Sequence, residues 1–190
     1  MGWSLESLNQ SAAGLWTRRG LLKGGAAAAA GLFVLGRPRS GDAEEAAASG
    51  LSEAAMKALQ TSPLVYISPL LADGSESQCH AEVWYFSDAG SVVIVTAADG
   101  WKARAIRRGR HRARVWVGDF GRASLSFGRY RKAPNFVARA EILSDRALFD
   151  RLMGAFGKRY PEGWAKWAPR FEKGFGDGSR VMIRYSPLSA

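Results

Sequence analysis

Lys102 is the residue around which chemistry can be built. It follows a turn signal, Asp99-Gly100, and is followed by Ala103, Arg104, Ile106, Arg107 and Arg108 at the spacing of a two-turn helix. Backbone N–H groups left open where that helix starts, near Trp101, attract an anion, and the Lys102 ammonium adds a full positive charge at the same place. Ala103 and Ile106 can turn inward, which leaves Arg104, Arg107 and Arg108 on the outer or partner-facing side. One phosphate suffices to explain this set. Acid–base and nucleophilic chemistry find less support: there is no Gly-x-Ser-x-Gly elbow, no Ser/His/Asp ordering and no defensible pair of catalytic carboxylates. Cys79 is the only cysteine, so an intrachain disulfide, a Cys-rich zinc site and a redox pair are all excluded. His80 and His111 are the only histidines and have no cluster of Cys or carboxylates at ligand spacing, so no metal site is expected.

The elements that must position Lys102 read as strands. Residues 64–71 are rich in β-forming types and end in the Asp73-Gly74 turn; residues 79–86 alternate as one strand, and residues 91–96, apolar on both faces, belong inside a sheet or barrel. After the cationic connection come three further strand candidates, beginning near Ala113, Ala123 and Asn135, and residues 180–185 form a last one. Arg110, Arg112 and Arg114 alternate along the entry to a strand and mark a solvated face. A helix over residues 51–60, capped by Ser52, precedes the sheet; a second opens at Ser144 and ends before Pro161, and residues 163–179 form a loop or short helix around Trp164 and Trp167. Those two Trp could cover a planar ligand, although packing is the commoner use of the residue. The Gly174 to Gly178 run precedes a strand instead of opening a helix, which argues against a dinucleotide loop. Consecutive strands with attached helices predict an α+β fold, mainly β: a six- to seven-stranded antiparallel barrel with peripheral helices.

At 190 residues, 47% hydrophobic and 11% aromatic, the chain has room for one folded domain and an appendage. Its formal charge of +10 would ordinarily suggest nucleic acid. The order Thr17-Arg18-Arg19-Gly20-Leu21-Leu22-Lys23, however, resembles the twin-arginine export signal, with Leu21 where that pattern often has Phe. The apolar run that follows, about residues 24–36, is too short and too rich in Ala and Gly for a comfortable membrane span, and small residues suited to cleavage lie at 41–43 and 46–48. Residues 1–48 are therefore expected to be export signal and linker and residues 49–190 the domain. The expected partner is the twin-arginine export machinery and the expected location the periplasm or cell envelope, so nucleic acid is not an expected partner.

Thr96 at a strand end, then a turn, Trp101, Lys102, Ala103 and Ile106, then a new strand at Ala113, resembles the FMN-binding split-barrel family related to pyridoxamine 5'-phosphate oxidase. The likeness runs from about Leu64 through Arg184. It implies a split barrel, a homodimer with the cofactor at the subunit interface, and FMN as the means of moving electrons to or from a small-molecule substrate. It gives Lys102 the FMN phosphate, puts His80 in the preceding-strand role where many relatives have Arg, and puts Trp101 where many have Arg or Ser. Thr96 joins them at the cofactor, with Arg104 and Arg107 as supporting charge. Because of the departures at His80 and Trp101, a deazaflavin remains an alternative. So does haem, with a His as axial ligand, in a protein that carries its cofactor without turnover. A third reading is an envelope protein whose basic surface binds anionic lipid or polymer.

Overall fold

Alternating apolar positions between residues 65 and 187 build one antiparallel sheet. The computed structural model describes residues 50–189. Its seven strands are β1 (Val65–Pro69), β2 (Ala81–Val83), β3 (Phe86–Asp88), β4 (Ser91–Ala97), β5 (Arg112–Val117), β6 (Asn135–Leu143) and β7 (Arg180–Pro187), in the sheet order β2-β1-β5-β6-β7-β4-β3. The helices are α1 (Glu53–Thr61), α2 (Trp101–Arg107), α3 (Arg146–Arg159) and α4 (Pro161–Gly176). Arg18, Arg19, the apolar run and the boundary at residue 48 lie outside the described residues. Among the described residues no helix is long and apolar enough to cross a membrane.

The two edges of this sheet, β2 and β3, are consecutive in sequence and are joined by only Trp84 and Tyr85. The sheet therefore curls until its edges are two residues apart. Residues 79–86 are thus not one strand: Val83 pairs with Val65 on β1, whereas Phe86 pairs with Val93 on β4. Alternation continues unbroken through the crossing, so periodicity could not reveal the change of neighbour. Both crossing residues are pinned. Trp84 faces outward and stacks on Tyr160, with ring centres 4.3 Å apart and planes within 2°. Tyr85 faces inward, its hydroxyl 2.8 Å from the carbonyls of Leu59 and Ser62 and accepting from Arg159 at 2.8 Å. The Tyr160 hydroxyl accepts from the Tyr85 N–H and donates to the Pro63 carbonyl. Gly163 leaves room for this stack, since a Cβ there would come within 2.6 Å of the Trp84 ring.

Strand alternation divides the apolar residues into two cores. One face, including Val65, Ile67, Val92, Ile94, Val115, Ala138 and Ile183, fills the barrel, with Ala55 and Leu59 of α1 and Ala103 and Ile106 of α2 packed against it. The opposite face, including Tyr66, Val93, Trp116 and Met182, is covered by Leu148, Leu152 and Phe156 of α3, by Trp167 and Phe171 of α4, and by the segment around Tyr130.

Three local readings change. Residues 123–130 are not a strand but two short 3-10 turns, Ala123–Leu125 and Arg129–Lys132, because Gly128 takes a left-handed φ of 75° and Ser126 donates back to the Ala123 carbonyl. Residues 161–176 form a full helix: Pro161 stops α3 and also starts α4, a position that needs no N–H donor. At the start of α3 the cap is Asp145 instead of Ser144, its carboxylate accepting from the Leu148 N–H at 3.0 Å. Ser52 caps α1 as expected.

Candidate functional site

The site centres on Lys102 of α2, a helix packed against β4 and β6, and on Glu82 of β2, whose charge acts on it. Gly100 precedes α2 in an extended conformation, and the helix has seven residues, so its dipole is weak and side chains must carry the binding. Lys102 turns inward and is only 2% exposed. Its Nζ lies 4.1 Å from the centre of the half-buried Trp101 ring. Burial lowers its pKa from 10.5 to about 8, while the charges of Glu82 and Cys79 pull the other way. Glu82, itself 4% exposed, also accepts from the Ala123 N–H at 2.9 Å.

Glu82 was not foreseen as a site residue. It lies two residues after His80, which precedes β2, and its cross-strand partner is Tyr66, which in turn pairs with Trp116. Tyr130 stacks on Tyr66, with ring centres 4.6 Å apart, and meets Trp116 edge-on at 5.2 Å. The half-buried His80 ring stands 5.9 Å from Tyr130, and its buried Nδ1 has no hydrogen-bond partner. Burial first, then the charge of Arg131, holds His80 below the usual His range; Glu76, the Gln78 backbone and Glu82 oppose that shift. Burial thus favours the uncharged form of His80, whose ring stands against an aromatic wall. The sequence signal for this wall was faint: one acid two residues after a His in an otherwise apolar strand.

The other candidates fall in different surroundings. Thr96, on the face of β4 that carries Ile94, points into the barrel, is 2% exposed, and has a buried Oγ1 without a hydrogen-bond partner. Arg104 and Arg107 are exposed, and each folds back to donate to a turn carbonyl, of Asp99 and Ala98 respectively. They brace the turn before α2. Cys79 is exposed. Among the described residues no group of His, Cys, Asp and Glu gathers in a way that could hold a metal ion.

The burial of Lys102 has a measurable consequence. An amine whose folded pKa lies below its unfolded value binds fewer protons when folded, so stability rises with pH between the two values, here from about 8 toward 10.5. Between about pH 7 and about pH 9.5 the protein is expected to gain ~2 kcal/mol from this group. Over that range Tyr66, Tyr160 and Tyr185, whose pKa values burial raises, stay protonated. Urea denaturation at the two pH values checks this: the gain should vanish in Lys102→Met, and an unchanged gain would refute the assignment.

No family model matches the chain, and no curated protein matches it. Solved structures do. The conserved hypothetical protein Rv2991 of Mycobacterium tuberculosis superposes with a TM-score of 0.50 at 18% identity, covering 73% of this chain and 83% of that one. The fold is a split barrel. Two further similar structures are the heme storage protein HutZ of Vibrio cholerae (TM-score 0.48, 14% identity, 71% of this chain and 88% of that one) and a putative pyridoxamine 5'-phosphate oxidase of Listeria innocua (TM-score 0.45, 12% identity, 70% and 89%). At these identities the likeness concerns the split barrel alone.

Proposed function

We propose that this split barrel is an exported flavoprotein that binds FMN and uses it to move electrons to or from a small molecule, acting as a homodimer. The observation that carries the reading is the buried Lys102 ammonium, turned inward from α2 and favoured by the charge of Glu82. A phosphorylated planar group suits this site, with the ammonium for its phosphate and the orphaned His80 Nδ1 for a polar edge, whereas Thr96 points into the barrel. Bound FMN would supply the redox chemistry, and the chain would bind it, orient it and exclude water. Lys102 would hold the phosphate, Trp101 would cover the ammonium, and Glu82 would keep that ammonium charged near neutral pH. Arg104 and Arg107 would act at one remove by fixing the turn. The twin arginines at Arg18 and Arg19 support export, and folding before export would allow the cofactor to be loaded first.

Flavin fluorescence tests the reading with its own control. FMN is expected to bind more tightly than riboflavin, which lacks the phosphate. Lys102→Met is expected to weaken FMN by about 10- to 100-fold, the scale of a charge-assisted hydrogen bond, and to leave riboflavin unchanged. Equal affinity of the wild type for the two would overturn it. A half-buried His80 with an unpartnered Nδ1 favours one second reading, haem held by that imidazole; a Soret band on adding hemin, lost in His80→Ala, would establish it instead. Deazaflavin binding would show by its own absorbance in the same titration.

A further inference from the structure

Between β5 and β6 the chain makes an excursion over residues 118–134 whose base is fixed and whose tip is apolar. At the base, the Tyr66 hydroxyl accepts from the Phe120 N–H at 2.8 Å and donates to the Gly121 carbonyl at 2.7 Å, Glu82 holds the Ala123 N–H, and Tyr130 stacks on Tyr66. Nearer the tip, the fully buried Ser126 donates to the Ala123 carbonyl, and both N–H and Nε of Arg129 donate to the Ser126 carbonyl. Leu125 and Phe127 flank Ser126 and project outward, 62% and 91% exposed. Phe127 has a φ of 51°, a region bulky residues avoid, followed by left-handed Gly128. The turn is thus held rigidly in a strained form that keeps two large apolar groups in water.

Cations surround them. Arg122, Arg129 and Lys132 are exposed and enter no ion pair among the described residues, while Arg131 is engaged by Glu76 at 2.9 Å. A second copy of the chain is a poor occupant for this surface. In a two-fold contact the same patch meets itself, so the surface carrying Arg122, Arg129 and Lys132 would be brought against an equally cationic one. Two apolar side chains also bury far less than the ~800 Å² per partner of a standard interface. An anionic bilayer answers both objections, because its phosphates neutralise the cations and its headgroup boundary takes up isolated Phe and Leu side chains. The overall charge of +10 favours the approach.

We propose that residues 122–132 form a membrane-docking wedge, in which Leu125 and Phe127 enter the headgroup region of an anionic bilayer while Arg122, Arg129 and Lys132 contact lipid phosphates. The inference is independent of any flavin. The test uses the full chain and two vesicle preparations, phosphatidylcholine alone and phosphatidylcholine with phosphatidylglycerol. Co-sedimentation should favour the anionic vesicles, fall as salt is raised, and drop at least roughly tenfold in the Leu125→Ser/Phe127→Ser variant. Bimane attached to Phe127→Cys in a Cys79→Ser background should shift to the blue on adding anionic vesicles, a readout that attachment through any other segment would not produce. A bimane spectrum indifferent to vesicles would overturn the proposal, as would equal binding by the double variant. So would a double variant that sediments as a smaller assembly than the wild type, because the patch would then be a contact between copies.

Discussion

Phe156→Ala is expected to destabilise the protein by about 3–5 kcal/mol, near the upper end for a single core truncation. Phe156 is 1% exposed on α3 and meets four other aromatic rings: Trp84 at 6.1 Å, Tyr160 at 5.3 Å, Trp164 at 6.2 Å and Phe171 at 6.0 Å. These rings come from the β2–β3 crossing, the α3–α4 junction and α4, so truncation leaves a void that no single element can collapse to fill. Edge-to-face pairing adds to the loss beyond the buried area. Urea denaturation monitored by tryptophan fluorescence measures it, with Phe156→Leu as a milder comparison. A loss below about 1 kcal/mol for the Ala variant would mean that the outer core is not packed around this ring.

The second large effect is expected at Glu82. Glu82→Gln keeps an oxygen able to accept from the Ala123 N–H but removes the charge that supports the Lys102 ammonium. Removing a charge that favours a buried ammonium is expected to cost about 1–3 kcal/mol. Lys102 should then titrate below about 8, so the variant should be less stable near neutrality and recover on mild alkalinisation. Adding Lys102→Met to the Gln variant should restore much of the loss, and the double-mutant cycle reports the coupling between the two. Additive losses would show that Glu82 acts through the Ala123 segment alone.

Most of the sheet was legible because its strands alternate cleanly. Residues 91–96 read as doubly apolar, and β4 indeed lies between β3 and β7 with Val92 and Ile94 in one core and Val93 in the other. The α2 turn was legible from Asp99-Gly100. Three features were hidden for distinct reasons. The crossing at Trp84 and Tyr85 leaves no mark in a pattern that records which face a residue takes but not which strand it pairs with. The helix over residues 161–176 was masked by Pro161 and Pro169, which read as breakers although the first sits where a helix can begin. The Lys102 surroundings depend on Glu82, twenty residues earlier, which is itself held by the Ala123 N–H, twenty-one residues later. No local signal joins them. The sequence also placed Arg104 and Arg107 on the outer side, where both are exposed; that each guanidinium reaches back to a carbonyl of its own turn left no sequence signal.

The two-residue crossing ties the edges of the split barrel together as a fixed-length seam. An added or deleted residue between Val83 and Phe86 would exchange the inward and outward roles of everything that follows in β3, so the length of that link is as constrained as any buried side chain. Divergence among proteins built on this plan should therefore collect in the excursion between β5 and β6 and in the covering helices, while the seam keeps its residue count.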